Sequence, residues 1–198
     1  MDNPRRILVI QGHPDGDQPH FLHALAAAYA DGARAAGHTV REVDVSRLDF
    51  PLLRSAQAWK QGEVPPALRP VQDDVRWAEH LLLLFPLWLG DMPALLKGFL
   101  EQLARPGFAF KAGEQRNPFA AKGLTGRSAR VVVTMGMPAL VYRYLYRAHS
   151  VKSLERNILG FVGIAPVHET LIGGVESMDA AARQRWLARL RALGAAAD

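Results

Sequence analysis

An α/β fold built on a five-stranded parallel sheet is predicted by the order of apolar segments along this chain of 198 residues. Five short apolar runs alternate with segments whose apolar residues recur every three or four positions, the spacing of an amphipathic helix. Several runs are continuously apolar, which is typical of strands buried on both faces of a parallel sheet. Hydrophobic residues make up 49% of the chain, and its length favours one domain over residues 1–198.

The first unit reads as strand, helix and strand. Ile7–Ile10 is a continuous apolar run, and apolar residues from Leu22 to Ala33 mark one face of a helix. Gly37 stands where a helix takes a C-terminal cap, because glycine adopts the left-handed conformation that such a cap requires. Thr39–Val45 then alternates apolar and charged residues and is predicted as the second strand.

The third strand lies in the middle of the chain. A short helix is predicted over Val71–Glu79, followed by the strand Leu81–Phe85. The next helix has its apolar face between Leu95 and Leu103. We expect Asp91 near its N-cap and Pro93 in its first turn, where both residue types are favoured.

The last two strands are predicted at Val131–Thr134 and Pro166–Ile172, with a helix over Val151–Phe161 between them. Ser177 is placed to cap a final helix, since serine hydroxyls accept from free N–H groups at helix starts. Residues 195–198 are expected to fray.

Two irregular insertions are expected, at about residues 47–70 and 106–128. The first contains several prolines and about one helical turn, and the second is rich in glycine and basic residues. Long loops of this kind are uncommon unless they line a site or an interface.

Composition excludes several classes of protein. The chain has no cysteine, so disulfide scaffolds, thiolate nucleophiles and cysteine-held metal clusters are ruled out, and no metal site is expected. The net charge is +5, but the basic residues are scattered and match no nucleic-acid-binding module, so no nucleic-acid partner is expected. The longest apolar stretch, Leu81–Leu89, is interrupted by Pro86 and is too short to span a membrane. With no signal-peptide pattern at the start, a cytoplasmic location is expected.

Unusual residues follow three of the strands, where open α/β sheets bind ligands. After the first strand, residues 12–21 run directly into a helix, whose N-terminal N–H groups suit an anion such as phosphate. This loop lacks the G-x-G-x-x-G and Walker patterns, so a dinucleotide fingerprint or an NTPase is unsupported. An ordinary strand–helix turn is an equally good interpretation of the loop by itself.

The loops after the third and fourth strands add aromatic and small residues. Trp88 lies between two prolines and offers a rigid surface to a flat heterocycle, with the backbone amides of Leu87 and Leu89 at its edge. Gly136 allows a ligand to approach the backbone closely, and Tyr142 and His149 provide groups for proton transfer. The alternative is that these aromatic residues pack in the core, in a loop or at a subunit contact.

Five segments carry a resemblance to a known family, in the family's order: Gly12-His13-Pro14, Pro86-Leu87-Trp88, Met92–Phe99, Pro106–Phe110 and Thr134-Met135-Gly136. They resemble the NAD(P)H quinone dehydrogenase family of flavodoxin-like flavoproteins, which includes the modulator of drug activity B type and regulatory oxidoreductases of potassium efflux systems. The resemblance extends from about residue 6 to residue 193, and the P-L-W…P-A-L-L-K-G-F…G-F-A-F portion is its most specific part.

The resemblance implies a flavodoxin-like fold with strand order 2-1-3-4-5 and helices on both faces of the sheet. It also implies a non-covalent FMN or FAD, NAD(P)H as co-substrate, and two-electron reduction of quinones or similar acceptors by a ping-pong mechanism. A homodimer with sites at its interface is implied as well.

Carried over residue by residue, the resemblance assigns flavin contacts to three groups of residues: His13, Gln18, His20 and Phe21; Pro86, Leu87, Trp88 and Leu89; and Thr134, Met135, Gly136 and Met137. It assigns Tyr142 and His149 to charge redistribution on the reducing flavin. The chain departs from the family in the phosphate loop, where the usual Ser and Asn are replaced and Pro19 removes one N–H donor. Basic loop residues are candidates for attracting the phosphates of NADPH, namely Arg116, Lys122, Arg127 and Arg143.

Three other classes of function were weighed against this one. An electron-carrier flavodoxin usually docks through an acidic face, whereas this chain is basic. A flavin-binding regulatory subunit with a peripheral partner in a membrane transport system would use the same fold and pocket, and it stays open. An α/β hydrolase is unsupported because no G-x-S-x-G motif is present.

Overall fold

The sheet has five parallel strands, in a computed structural model that describes residues 3–110 and 122–198. The strands are β1 (Arg6–Gln11), β2 (Thr39–Asp44), β3 (His80–Pro86), β4 (Ser128–Thr134) and β5 (Val167–Ile172). Their order, β2-β1-β3-β4-β5, confirms the predicted topology. β3 is the central strand and is buried along its whole length, which explains its uninterrupted apolar sequence.

Helices cover both faces of the sheet. They are α1 (Phe21–Ala35), α2 (Ala56–Gln61), α3 (Arg69–Trp77), α4 (Ala94–Leu103), α5 (Ala139–Tyr144), α6 (His149–Ser153), α7 (Gly160–Val162) and α8 (Ala180–Ala196). A π-helical segment, Leu154–Leu159, joins α6 to α7, so the helix predicted over 151–161 is present but irregular. The predicted arm at 47–70 contains α2, one short 3₁₀ turn at Pro66–Leu68 and the start of α3. Much of the second predicted insertion, residues 111–121, lies outside the described residues.

Alternation along β1 creates one core on each side of the sheet. Ile7 and Val9 face α1 and α8, whereas Leu8 and Ile10 face the side of α3 and α4. On the first side, α1 and α8 approach closely through two glycines. A Cβ at Gly32 would overlap the carbonyl of Arg191, and a Cβ at Gly194 would overlap the carbonyl of Tyr29.

The observed helix ends match one predicted cap and differ from the prediction at two others. Gly37 has a φ of +88° and donates to the carbonyl of Arg34, so the predicted C-terminal cap of α1 is confirmed. The prediction for Asp91 was wrong, because Pro93 is the N-cap of α4 and Asp91 closes a turn instead. Ser177 does not cap α8 either. Asp179 does so by accepting from the amide of Ala182 at 2.6 Å, two residues further along.

The last residues are ordered rather than frayed, which overturns the prediction for 195–198. The guanidinium of Arg5 donates to the carbonyl of Ala197 at 2.9 Å, and His38 Nε2 lies 3.1 Å from the carbonyl of Ala195. Asp198 pairs with Arg130 at 2.9 Å. These contacts with residues distant in sequence hold the end of α8 against the sheet. Over the two described ranges, no helix is long and apolar enough to cross a membrane.

Candidate functional site

Three loops meet at the carboxyl edge of the sheet, after β1, β3 and β4. His13 and Trp88 make an edge contact with ring centroids 5.8 Å apart, which joins the first loop to the second. The amide of Leu87 donates to the carbonyl of Thr134 at 2.8 Å, which joins the second loop to the third. The sequence predicted this convergence, because parallel strands end at the same edge.

The β1–α1 loop is organised around the carboxylate of Asp15. Its Oδ1 accepts from the amides of Asp17 at 3.0 Å and Gln18 at 3.3 Å, and its Oδ2 lies 2.9 Å from His20 Nε2. The hydrogen bond from His20 and those from the two amides hold the pKa of Asp15 below its usual value. The loop therefore contains an ordered anion of its own.

Three histidines cluster at the start of α1. His13 is buried and stacks on His20 with centroids 3.8 Å apart, and both rings lie 5.5 Å from that of His23. Burial, followed by the nearby histidines, lowers the pKa of His13, and burial and His20 do the same for His23. His13 Nδ1 lies 3.1 Å from the amide nitrogen of Asp15 and 3.2 Å from its carbonyl oxygen.

The remaining predicted residues of this loop differ in exposure. Gln18 is exposed and contributes its backbone amide to Asp15. Phe21 is half-buried against the core under α8, and the guanidinium of Arg183 lies 4.9 Å from its ring centroid. Phe21 therefore takes part in packing α1 against α8.

The β3–α4 loop is a tight turn between Trp88 and Asp91. Trp88 donates to the carbonyl of Asp91 at 2.9 Å, and the amide of Asp91 returns a bond at 3.0 Å. The two central residues, Leu89 and Gly90, have φ values of +49° and +80°. A leucine in this conformation is strained, and such strain is concentrated at functional sites. Trp88 is 50% exposed, so it does not pack in the core of the chain and its ring is accessible at the edge.

Only some of the backbone amides predicted to face a ligand at this turn are available to do so. The amide of Leu87 is occupied by Thr134, so it does not face a ligand. Among the described residues, nothing accepts from the amides of Leu89 and Gly90, nor from those of Gly136 and Met137 in the next loop. Within the part of the chain that the structure describes, these amides are therefore available to bind acceptor atoms.

The β4–α5 loop presents its backbone and buries part of its side chains. Thr134 and Met135 are buried, and Met135 packs in the core. Gly136 is exposed, and a Cβ there would lie 3.1 Å from Oε1 of Glu176. A side chain at this position would crowd the glutamate, which explains why glycine is suited to it.

A cleft of about 330 Å³ opens beside these loops, lined by Leu89, Gly90, Met137, Tyr142, Tyr146, His149 and Ser150. Both residues predicted for proton transfer, Tyr142 and His149, line it. Tyr142 is buried, and its hydroxyl accepts from the amide of Val151 at 3.4 Å. Burial raises the pKa of Tyr142, so its phenol stays neutral and able to donate a proton. His149 is exposed at the cleft.

Sequence reasoning missed several residues of the site. Ser150 donates to Oδ1 of Asp91, which connects α6 to the turn at Trp88, and Tyr146 lines the cleft. The Asp15-x-Asp17 spacing is a recognisable turn signal, since aspartate accepts from the amide two residues on. The Asp91–Ser150 bond has no local signal because the two residues are far apart in sequence.

Two of the basic residues predicted to attract a phosphorylated nicotinamide, Arg127 and Arg143, are engaged by other parts of the chain. Arg127 donates to the carbonyls of Val75 and Arg76 at the end of α3, and Arg143 pairs with Glu169 at 2.7 Å. Arg116 lies outside the described residues. Because Arg127 lies before β4, at the amino edge, its assignment to the site was wrong.

Comparison with known proteins gives similarities in sequence and in fold. A family model described as flavodoxin-like fold matches residues 5–193. A ribosyldihydronicotinamide dehydrogenase-like protein of Penicillium crustosum is 29% identical over 156 residues, which cover 66% of this chain and 57% of that protein. The chain thus spans little more than half of that relative's length. An FMN-dependent NADH:quinone oxidoreductase of Nitratidesulfovibrio vulgaris is 27% identical, and the alignment covers 88% of this chain and 91% of that protein.

A solved structure matches along nearly the whole chain. The NAD(P)H:quinone oxidoreductase from Methanothermobacter marburgensis superimposes with a TM-score of 0.80 at 23% identity, covering 98% of this chain and 96% of that one. At this level of identity, the likeness establishes the shared fold.

Proposed function

The chain belongs to the flavodoxin-like fold family, and from this premise we propose that it is an oxidoreductase that uses bound FMN and NAD(P)H to reduce quinones or similar acceptors by two electrons. The observation that carries the proposal is the contact between the loops after β1 and β3, through His13 and Trp88. β1 and β3 flank the switch point in strand order, where flavodoxin-like sheets bind FMN. The names of the sequence relatives support the same activity.

The donor set at this edge fits the ring of a flavin. A flavin ring is flat and carries carbonyl oxygens and ring nitrogens along one edge, so it needs an aromatic or apolar surface and N–H donors. Trp88 is half-exposed beside the cleft, and the amides of Leu89, Gly90, Gly136 and Met137 have no acceptor among the described residues. These donors would hold the ring, and FAD is the alternative flavin.

When bound, FMN supplies the two-electron chemistry, by taking a hydride from NAD(P)H and giving it to the acceptor in ping-pong order. The protein's residues provide position and charge. Free amides fixed in a strained turn stabilise negative charge without reorganising. The neutral phenol of Tyr142 holds a proton close to the cleft, and the exposed His149 exchanges protons with solvent.

The protein also works as a homodimer in this proposal. Large apolar side chains are exposed on α5 and just after it, next to the cleft: Leu140, Val141, Tyr144, Leu145 and Tyr146. Contiguous apolar surface of this kind is typical of an interface. Light scattering coupled to size exclusion is expected to give twice the 21.8 kDa chain mass. A monomeric mass, or a Tyr144→Glu variant that remains dimeric, would contradict this part.

The activity is tested by anaerobic titration. Purified protein, supplied with FMN if it is colourless, is expected to show flavin absorption bands that bleach on addition of NADPH or NADH and return on addition of a quinone. Failure to bind either FMN or FAD would overturn the proposal. Bleaching by dithionite alone would favour an electron carrier or a regulatory flavin site.

The ring surface is tested with two tryptophans. Trp88→Ala is expected to weaken FMN binding about tenfold or more, because it removes the aromatic surface at the edge. Trp186→Ala is the matched control. Trp186 packs against the core on the α1 and α8 side, so its loss is expected to lower stability and leave the dissociation constant unchanged. Equal effects of the two variants on FMN affinity would contradict the assignment of Trp88.

A further inference from the structure

Part of the N–H donors of the loop after β1 are engaged by the protein itself, whereas the first two amides of α1 have no acceptor among the described residues. Both oxygens of the Asp15 carboxylate are used, one by the amides of Asp17 and Gln18 and the other by His20 Nε2. The residue at position 19 is a proline and has no N–H group. A phosphate entering this loop would therefore meet a carboxylate already bound to donors that a phosphate would use.

The position of this carboxylate is fixed by the surrounding chain. Arg47 donates to the carbonyl of Gly16 and pairs with Asp17 at 3.0 Å, which ties the loop to the segment after β2. Gly16 also packs tightly, because a Cβ there would overlap the hydroxyl of Ser46. These contacts hold the loop against the segment after β2.

The polar groups beneath the loop offer little replacement for the engaged donors. Gln11 is 7% exposed, its Oε1 accepts from the amide of His13 at 3.0 Å, and its Nε2 has no partner among the described residues. His23 Nε2 is likewise buried without a partner there. Both nitrogens line a separate cleft of about 260 Å³ that also contains Glu42 and Asp44. Two carboxylates in that cleft oppose an anion.

We propose that Asp15 is a built-in counter-anion of the flavin loop, which competes with the cofactor's phosphate for the loop's N–H donors. The inference rests on the proposed function, since it concerns how this chain holds FMN. Its consequence is that the protein favours FMN over riboflavin, which has no phosphate, less strongly than it would without the charge of Asp15. Asp15 thereby sets the cofactor specificity of the site.

The test compares two flavins and two aspartates. Dissociation constants for FMN and riboflavin are measured by quenching of flavin fluorescence, in the unaltered protein, in Asp15→Asn and in Asp31→Asn. Asparagine at position 15 keeps an oxygen acceptor for the loop amides but removes the charge. Asp31→Asn is the control, because it removes one negative charge from α1, away from the loop, at a side chain that is 59% exposed.

The unaltered protein is expected to bind FMN no more than about tenfold more tightly than riboflavin. Asp15→Asn is expected to tighten FMN binding by about fivefold or more and to leave riboflavin within about twofold, because only FMN presents an anion to the loop. Asp31→Asn is expected to change neither constant by more than about twofold. A smaller gain for FMN in Asp15→Asn, or an equal gain for both flavins, would overturn the proposal.

A second measurement needs no variant and so does not depend on the folding of one. Inorganic phosphate, compared with chloride at equal ionic strength, is expected to leave FMN binding to the unaltered protein unchanged. Competition by phosphate would show that the loop's donors are open to an external anion and would overturn the proposal. Failure to bind either flavin would instead overturn the proposed function, and the inference with it.

Discussion

The two edges of the sheet are built in opposite ways. At the amino edge, charged and polar side chains are buried and mostly paired, whereas at the carboxyl edge four backbone amides have no acceptor among the described residues and an aromatic ring is half-exposed. The difference indicates that the amino edge stabilises the fold, whereas the carboxyl edge is suited to ligand binding. An edge that satisfies its own polar groups has nothing to offer a ligand, and an edge that leaves them free gives up some stability.

The amino edge is a network that joins distant parts of the chain. Arg130 is buried, donates to the hydroxyl of Thr170 at 2.8 Å and pairs with Asp198 at 2.9 Å. His168 Nδ1 lies 2.5 Å from the same carboxylate. Burial by itself raises the pKa of Asp198, but the hydrogen bonds from His168 and Arg130 outweigh it and leave that pKa below its usual value.

The largest expected effect breaks this network. Asp198→Asn leaves the guanidinium of Arg130, whose side chain is 8% exposed, without its carboxylate, and is expected to cost about 2–3 kcal/mol of unfolding free energy. Urea unfolding measures the loss. Asp31→Asn removes a carboxylate from an exposed pair with Arg191 and is expected to cost less than about 0.5 kcal/mol. Equal losses in the two variants would contradict the contrast between a pair with one buried partner and a pair with none.

A smaller effect depends on pH and comes from His80 at the start of β3. Burial, with the charges of Arg5 and Arg130, lowers the pKa of His80 to about 3. When the pH falls below the ordinary pKa of histidine, His80 binds a proton in the unfolded chain but not in the folded one. The folded state is therefore stabilised at neutral pH and loses this stabilisation as the pH falls. The loss is expected to be about 2 kcal/mol between about pH 7 and pH 5.

The measurement for His80 is urea unfolding across that pH range. His80→Asn retains a polar partner for Ser128, whose hydroxyl lies 2.8 Å from His80 Nδ1, but it does not titrate. Its unfolding free energy is expected to fall less steeply with acid, although His13 and His23 still contribute in the same direction. Identical pH dependence in the two proteins would contradict the assignment.

The smallest effect is at the carboxyl edge, where two neighbouring substitutions are expected to change stability in opposite directions. Leu89→Gly is expected to stabilise the flavin-free protein by about 0.5–1 kcal/mol, because glycine adopts the φ of +49° without strain. Gly90→Ala, one residue further at φ +80°, is expected to destabilise it by about 1 kcal/mol. Thermal unfolding of both variants distinguishes the signs. Shifts in the same direction would show that the turn is not strained at Leu89.

Much of the fold was predictable because it depends on patterns of residues that are close in the sequence. The continuous apolar run of β3 and the helical spacing in α1 predicted both elements, and Gly37 predicted the end of α1. The caps at Asp91 and Ser177 were predicted wrongly, since nearby residues competed for the same role. Asp179 bonds the first turn of α8, and Asp91 is engaged by Ser150 from a distant helix.

The candidate site was predictable in outline and not in detail. The sequence identified the three loops, since each follows a strand, and it pointed to Trp88 and Gly136. It offered Leu87 as a free amide, yet that amide is taken by Thr134 on the neighbouring strand. It left unnoticed that Asp15 occupies the donors of its own loop.

By itself, the sequence determined the α/β fold, the order of its elements and the edge of the sheet that carries the site. These depend on apolar periodicity and on residues close in the chain, whose effects are local. Only the tertiary structure decided which amides lack an acceptor among the described residues, which carboxylate binds the amides of the loop after β1 and how Asp198 reaches the buried Arg130. Such choices depend on partners far apart in sequence, which meet only once the sheet has brought them together.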